Sequence, residues 1–279
     1  MGYEPTQYTP TPRPVEPPPP PPAPPSGPLA RFKRAIGPVG IALLIGLKWI
    51  AKLKFLAVIF KLKFLGTFLS MIASVGLYTI AFGWRFAVLF VGLLFVHELG
   101  HFLWLKKEGI PTGPIVFLPG LGALITMKEH PRNAYIEAKV GLAGPALGSL
   151  AAGAVALAGW QLDSNLLLAA AYVGFLLNLF NLIPVTPLDG GRAAAAIHPT
   201  LWIAGLIGLA VVTVLWFNFL LVLILILAVV DLRRRTHGVG INDRAYYGIP
   251  LRQRVGVAVV YLGLAGLLGV GMALTHVST

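Results

Sequence analysis

Residues 86–105 read FAVLFVGLLFVHELGHFLWL, and this stretch decides the fold class of the chain. Twenty residues of α-helix extend about 30 Å, which matches the hydrocarbon core of a bilayer. The charged and strongly polar side chains of the stretch all belong to HELGH at 97–101. Ionisable side chains are costly in lipid and usually serve a function there. The stretch therefore predicts a membrane-spanning helix that carries a functional site.

The composition agrees with a chain that crosses the membrane several times. Of its 279 residues, 57% are hydrophobic and only 11% are charged, whereas soluble domains carry about 25% charged residues. The predicted fold class is an all-α polytopic membrane protein with about six to seven transmembrane helices and a short re-entrant β-hairpin-like segment. The chain has no cysteine, which excludes disulfides and thiolate metal ligands.

The net charge of +12 raises the question of nucleic-acid binding. The basic residues flank apolar segments and do not cluster on a polar domain, so we expect them to set membrane topology and predict no nucleic-acid partner. Alternating the spans places all basic residues after Arg85 on one side, which the positive-inside rule assigns to the cytosol. The predicted location is a prokaryotic cell membrane, with the HELGH segment toward the cytosol.

Four segments are expected along the chain. The first contains six consecutive prolines at 17–22 and is expected to be an extended, disordered tail. The second is basic and apolar, which favours an interfacial or membrane segment. The third is a catalytic transmembrane core, and the fourth holds the C-terminal transmembrane helices. Their boundaries are 1–30, 31–63, 64–195 and 196–279.

Apolar runs predict the remaining spans, at 64–82, 140–160, 166–183 and 255–275. One further apolar run, at 201–230, would be about 45 Å long as a single helix, which is too long for an untilted span. The alternative is two helical legs that turn near Phe217 and Asn218. Two legs keep all twelve basic residues after Arg85 on one side, whereas a single span would place the last six on the other side, so we expect the two legs.

Residues 108–139 differ from the spans, because they are rich in glycine and proline around short β-like runs at 115–118 and 123–127. This pattern predicts a hairpin or a re-entrant loop. The segment 115–127 could hold an unwound peptide by adding it as a strand, or it could be a purely structural hairpin.

His97 and His101 are one helical turn apart and project from the same helix face, as two ligands of one metal ion require. The HExxH spacing is typical of zinc-protease helices. Glu98 lies beside the first histidine, where it can take a proton from metal-activated water and pass it to a leaving amine. The alternative is a pair of buried, hydrogen-bonded imidazoles, which would be hard to satisfy in lipid next to a third ionisable group.

A tetrahedral catalytic zinc site needs a third protein ligand and one open position. Of the ten acidic residues, Asp189 is the best placed, because it comes at the close of a helix on the membrane face where the His97 helix ends. Glycines follow it and allow a close backbone approach. The alternative role for Asp189 is to cap a helix that starts at Gly190.

Two separated motifs carry a family resemblance. They are FVHELGH at 95–101 and NLIPVTPLDGGR at 181–192, with a weaker match, AGP, at 143–145. In order and spacing they resemble the site-2 protease family of intramembrane zinc metalloproteases, over about residues 64–195. The resemblance implies one Zn²⁺ per chain, bound by His97, His101 and Asp189. It also implies that Glu98 is the catalytic base.

The resemblance extends to Asn181, eight residues before Asp189, and implies that it holds substrate or stabilises the transition state. The alternative is that Asn181 satisfies the backbone around Pro184, which lacks an N–H. One position departs from the family pattern, because Gly148 stands where many relatives have Asn, and we assign no function to it.

The implied function is that of an intramembrane zinc metalloendopeptidase, which cleaves transmembrane segments of membrane-protein substrates through metal-activated water. Its partners would be a transmembrane substrate and the lipid bilayer, and the sequence indicates no oligomeric state. Two alternatives stay open, a metal-binding membrane transporter and an inactive membrane scaffold. Glu98 argues against a transporter, since a transit site needs no general base, and the intact set of candidate residues argues against a scaffold.

Overall fold

The computed structural model describes residues 65–215, 217–237 and 244–276. The expected tail at 1–30 and the basic segment at 31–63 lie outside the described residues. In chain order the elements are α1 (Leu65–Phe82), α2 (Trp84–Lys107), β1 (Thr112–Leu118), β2 (Gly122–Met127), α3 (Ala134–Gln161), α4 (Asn165–Asn181), α5 (Asp189–Ile197), α6 (Pro199–Leu215), α7 (Phe219–His237), α8 (Arg244–Tyr247) and α9 (Leu251–Thr275).

Apolar helices dominate the architecture, as the composition predicts. Within the described part of the chain, α1, α2, α3 and α9 are long and apolar enough to cross a membrane. The shorter helices α4 and α6 are apolar as well. The described residues therefore form a mostly helical membrane protein with four candidate spans, and the expected number of six to seven spans stays a prediction.

The apolar run at 201–230 is interrupted where the sequence analysis expects a turn. Helix α6 ends at Leu215 and α7 begins at Phe219, and the Asn218 side chain accepts a hydrogen bond from the Leu220 N–H at 2.8 Å. Apolar side chains of the two helices pack in one cluster, which includes Leu209 of α6 and Ile224 of α7. The two helices are therefore separate legs that pack against each other.

The segment between α2 and α3 contains the predicted hairpin, so the protein is mostly helical rather than all-α. Strands β1 and β2 pair antiparallel, with Ile115 opposite Ile125 and Phe117 opposite Ala123. Gly120 and Gly122 supply the positive φ angles of the connecting turn, which non-glycine residues rarely adopt.

Two hydroxyl side chains of α1 hydrogen-bond to the backbone of β1. Thr67 donates to the carbonyl of Ile115 at 2.7 Å, and Ser70 accepts from the N–H of Phe117 at 3.1 Å. Alternate residues of a strand direct their backbone groups to the same edge. Helix α1 therefore covers the edge of β1 that faces away from β2.

Helix α3 begins six residues before the apolar run that predicts it, at Ala134 rather than at 140. Asn133 caps its amino terminus by accepting a hydrogen bond from the N–H of Ile136 at 3.0 Å. A hydropathy pattern detects the apolar part of a helix, whereas Glu137 and Lys139 interrupt the apolar run near the start of α3, which is set by its cap.

A non-helical segment, residues 182–188, connects α4 to α5 and brings the start of α5 into the core. At the positions of Gly190 and Gly191, a Cβ atom would overlap the backbone of this same segment. Glycine is therefore required at both positions, because α5 packs directly on the chain that leads into it. Asp189 is the first residue of α5, so it opens this helix and does not close the preceding one.

Candidate metal centre

His97 and His101 lie on the buried face of α2, with 3% and 4% of their surface exposed. Close packing of α2 against α3 depends on glycine. A Cβ at Gly100 would overlap the backbone of Ala143, and a Cβ at Gly144 would overlap the imidazole of His101. The ring of His101 therefore fills the space that any other residue at 144 would occupy.

The carboxylate of Asp189 joins the two imidazoles, as the sequence analysis predicts. Its Oδ2 atom is 3.2 Å from Nε2 of His97 and 3.1 Å from Nε2 of His101. Asp189 is 8% exposed. Asp189 does not cap α5, because Leu188 occupies the capping position and no side chain makes a capping hydrogen bond there.

The outer nitrogen of each ring is also engaged, and these contacts fix where the ring protons lie. Nδ1 of His101 is 2.8 Å from the carbonyl oxygen of Val140. A carbonyl can only accept, so this Nδ1 carries a proton, and Nε2 of the neutral ring then carries a lone pair. Nδ1 of His97 is 2.8 Å from Oδ1 of Asn178, which gives His97 the same protonation pattern.

With both imidazoles neutral, as metal ligation requires, three electron-rich atoms converge with no proton between them. The two Nε2 atoms are 3.2 Å apart, and Asp189 Oδ2 is equally close to both. Such an arrangement is repulsive in a buried site unless a cation lies among the three atoms. Two imidazoles and one carboxylate are a donor set that catalytic zinc uses, with a fourth position left open. The donor chemistry thus fits Zn²⁺.

Within the described ranges, 65–215, 217–237 and 244–276, these three residues are the one group of three or more histidine, cysteine or acidic side chains placed closely enough to hold a metal ion. Their candidate ligand atoms all lie within 4.8 Å of one another, and all three residues are buried. The cluster lies between α2 and the start of α5, against α3. Each ligand is therefore held by a helix and not by a loop.

Glu98 follows His97 on α2 and is 6% exposed. Successive residues of an α-helix are turned by about 100°, so Glu98 points away from the common direction of His97 and His101. Glu98 is therefore next to His97 on the helix but outside the group of three candidate ligands. Its role as catalytic base stays a prediction.

Other acidic residues that the sequence analysis set aside have partners of their own. Glu108 pairs with Lys139 at 3.1 Å and with Arg132 at 3.5 Å. Asp231 accepts a hydrogen bond from the hydroxyl of Thr186 at 2.5 Å. These contacts agree with the choice of Asp189 by elimination.

Asn181 lies half-buried at the end of α4, and its amide donates to the carbonyl of Leu177 at 3.1 Å. The expected role of Asn181 toward a substrate stays a prediction. The asparagine that contacts the centre is Asn178, one turn earlier, which the sequence analysis does not single out. The available signal was a polar side chain inside the apolar run 166–183, since such residues in lipid usually serve a function.

Comparison with known proteins gives similarity over part of the chain. No family model matches. The chain is 37% identical over 120 residues to the zinc metalloprotease MJ0392 of Methanocaldococcus jannaschii, covering 40% of this chain and 34% of that protein. It is 32% identical over 120 residues to Rip3 of Mycobacterium tuberculosis strains Erdman and H37Rv, which is provisionally named a zinc metalloprotease. This second match covers 39% of this chain and 30% of Rip3, so the similarity spans about a third of each relative.

Proposed function

We propose that this chain is an intramembrane zinc metalloendopeptidase, which hydrolyses peptide bonds within transmembrane segments of other membrane proteins. The observation that carries the proposal is the convergence of His97 Nε2, His101 Nε2 and Asp189 Oδ2, with both histidines on an apolar helix of membrane-spanning length. Similarity to proteins that are named zinc metalloproteases supports the same activity.

His97, His101 and Asp189 would hold one Zn²⁺ per chain. Zinc held by three protein ligands acts as a Lewis acid toward a carbonyl and makes water nucleophilic at neutral pH. The chain contributes the orientation of the donors, because both Nδ1 protons are engaged away from the centre. The carboxylate of Asp189 contributes the negative charge that partly balances a divalent cation.

Glu98 is assigned the proton transfers. Its carboxylate would accept the proton of the attacking water and deliver it to the amine nitrogen of the leaving peptide. Burial of Glu98 limits competition from bulk water for that proton. Asn181 remains the candidate for a substrate contact, since it lies immediately before the segment 182–188 that leads to Asp189.

A substrate helix must unwind before its backbone can react, because backbone amides in lipid are already paired within the helix. The unwound segment then needs new hydrogen-bond partners, which a strand edge can supply. The outer edge of β1 is closed by Thr67 and Ser70. Strand addition at that edge therefore requires α1 to move away from β1.

An apolar cavity of about 470 Å³ lies beside the same edge. Side chains of α1, α2 and β1 line it, among them Phe68, Phe95 and Leu99. Because Leu99 directly follows Glu98, the cavity adjoins the helix segment that carries the candidate base. A cavity of this size and polarity is suited to a large apolar side chain of a membrane-embedded substrate.

The test uses purified protein with a model transmembrane substrate in lipid vesicles. Glu98→Gln should retain zinc and lose cleavage, because the amide cannot accept the proton. The exposed Glu129→Gln is the matched control and should cleave normally. Undiminished cleavage by Glu98→Gln would overturn the assignment. Zinc uptake into sealed vesicles would instead favour a transporter, and an unaltered chain that binds zinc but cleaves nothing would favour a scaffold.

We also propose that the site faces the cytosol of a prokaryotic cell. In the expected topology, the turn at Phe217 and Asn218 is external and Lys107 is cytosolic. Since the chain has no cysteine, a single introduced cysteine reports its own side. A cysteine at 218 should react with an impermeant reagent in intact cells, and one at 107 should not. The reverse pattern would invert the proposed orientation.

A further inference from the structure

The carboxamide of Asn178 connects three helices around the metal centre. Asn178 belongs to α4 and is 1% exposed. Its Nδ2 atom donates to the carbonyl of Gly174, one turn earlier, at 2.7 Å. Its Oδ1 atom lies 2.8 Å from Nδ1 of His97 on α2. A fully buried amide thus has one partner on its own helix and one on the catalytic helix.

The contact with Gly174 fixes which way the amide is turned. A carbonyl oxygen accepts only from a donor, so the NH₂ group of Asn178 must face Gly174. The amide oxygen then faces His97 and can only accept. Nδ1 of His97 therefore has to carry the ring proton, and the lone pair of Nε2 is left for a ligand. The opposite tautomer would set two acceptors against each other in a buried site.

The third helix is α3, which leaves room for the amide of Asn178 because it has a glycine at position 148. A Cβ at Gly148 on α3 would overlap the carboxamide of Asn178. The amide of α4 therefore occupies the volume in which a side chain from position 148 would lie. Gly148 is also the position at which the chain departs from the family pattern, which commonly has Asn there. An asparagine at position 148 would direct its own amide into this volume, which the amide of Asn178 fills here.

We propose that Asn178 is a positioning residue of the metal centre, which is admitted by Gly148 and holds His97 in the tautomer that presents Nε2 to the metal. The inference rests on the proposed function, because it assumes that His97 is a zinc ligand. Asn178 itself touches neither the metal position nor a substrate. It acts through the ring of His97, as partners that hydrogen-bond a metal-ligating histidine commonly do.

The first test is zinc affinity, measured in detergent by competition with a chromophoric chelator. Asn178→Ala should bind zinc about 10–100-fold more weakly than the unaltered chain, which is the usual effect of losing such a partner. Should the alanine variant fail to fold, Asn178→Leu keeps the volume, removes the acceptor and gives the same test. Unchanged zinc affinity in the folded variant would overturn the inference.

The matched control is Asn181→Ala. Asn181 lies on the same helix and also donates to a carbonyl one turn earlier, but its described hydrogen bond is to Leu177 and not to a ligand. Its replacement should leave zinc affinity within about twofold. Equal losses in the two variants would assign the effect to the integrity of α4 and overturn the role of Asn178. The Co²⁺ absorption spectrum should change only in the variants of Asn178.

The second test moves the amide from α4 to α3. Gly148→Asn alone should be poorly stable, because two amides compete for one volume. The double variant Gly148→Asn/Asn178→Ala should recover at least tenfold of the zinc affinity lost in Asn178→Ala. Failure of the double variant to recover affinity would overturn the exchange between the two positions. If the unaltered chain binds no zinc, the proposed function is wrong. If Asn178→Ala binds zinc as tightly as the unaltered chain, only the role of Asn178 is wrong.

Discussion

Oδ2 of Asp189 and Nε2 of His101 lie 3.1 Å apart, although 88 positions separate the two residues in the chain. The contact joins the first residue of α5 to the last third of α2, and both atoms are acceptors when the ring is neutral with its proton on Nδ1. Two acceptors in a buried contact need either a proton or a metal ion between them. Two imidazoles and one carboxylate are a donor set that fits zinc, so this contact supports a metal at the site.

Asp189→Ala should abolish zinc binding. Loss of a ligand should lower the affinity by more than the roughly 10–100-fold that follows loss of a residue that only orients a ligand. Zinc should raise the melting temperature of the unaltered chain, because a metal that binds only the folded state stabilises it. This increase should vanish in Asp189→Ala. The control is Asp163→Asn, at the exposed turn between α3 and α4, which should keep the full increase.

Retention of the zinc-dependent increase in Asp189→Ala would remove Asp189 from the ligand set. His97 and His101 could then still share an ion, and the third ligand would have to come from another residue. Metal analysis of the purified variant separates the two cases, since a two-ligand site would hold zinc only weakly.

Much of this centre could be predicted from the sequence, because its strongest signals are local. The spacing of His97 and His101 places both on one helix face, and the apolar surroundings make their burial expensive without a partner. Asp189 could be reached by elimination, since the chain has few acidic residues. The break between α6 and α7 could be reached from two observations together. The apolar run exceeds one untilted span, and a single span would divide the basic residues between the two sides of the membrane.

Asn178 could not be reached in this way, because its function depends on packing between helices. It lies 81 positions from His97, outside the motif at 181–192, and a polar side chain in an apolar run does not indicate which other helix it contacts. The contact exists because Gly148 leaves a volume open on a third helix. Sequence periodicity predicts which face of a single helix is buried. It does not predict how one helix packs against two others, which here depends on the glycine at position 148.

Gly144→Ala should weaken zinc binding and destabilise the fold, because the added methyl would overlap the imidazole of His101. Forcing one methyl group into a close-packed core costs about 1–3 kcal/mol. The matched control is Gly153→Ala on the same helix, where a Cβ has no neighbour within 4 Å. The control should be neutral or stabilised by up to about 1 kcal/mol, as alanine favours a helix over glycine.

Thermal unfolding in detergent and zinc titration check both glycine variants. A Gly144→Ala protein with normal stability and normal zinc affinity would contradict the close contact between α3 and the ring of His101. Equal destabilisation by both variants would attribute the effect to helix propensity and not to that contact.

Arg254→Ala should destabilise the protein by about 1–2 kcal/mol, because it leaves partly buried carbonyl groups without their donor. The guanidinium of Arg254 donates to the carbonyls of Ala196 and Ile197 at the end of α5, at 3.1 and 3.0 Å. It also donates to the carbonyl of Tyr247. Arg254 of α9 therefore holds the carboxyl-terminal end of α5, the helix that begins with Asp189, by hydrogen bonds.

The comparison variants for Arg254 separate charge from geometry. Arg254→Lys keeps the charge but not the planar fork of donors, so it should recover only part of the stability. Arg252→Ala removes an exposed arginine from the same turn of α9 and should be nearly neutral. Full recovery of the unfolding midpoint by lysine would show that charge, and not the set of hydrogen bonds, stabilises this end of α5.

Thr67→Val/Ser70→Ala should increase the rate of substrate cleavage if substrates add to the outer edge of β1. The two hydroxyls hydrogen-bond the backbone of Ile115 and Phe117, so they hold α1 on the edge that a substrate would need. Each hydrogen bond contributes about 1 kcal/mol net, so their loss should raise the cleavage rate several-fold. Thr79→Val removes a hydroxyl that bonds only within α1, to Val75, and should leave the rate unchanged. Zinc affinity should be equal in the unaltered chain, the double variant and Thr79→Val, because none of these side chains contacts the metal centre. An unchanged or lower cleavage rate in the double variant would mean that substrates do not use this edge.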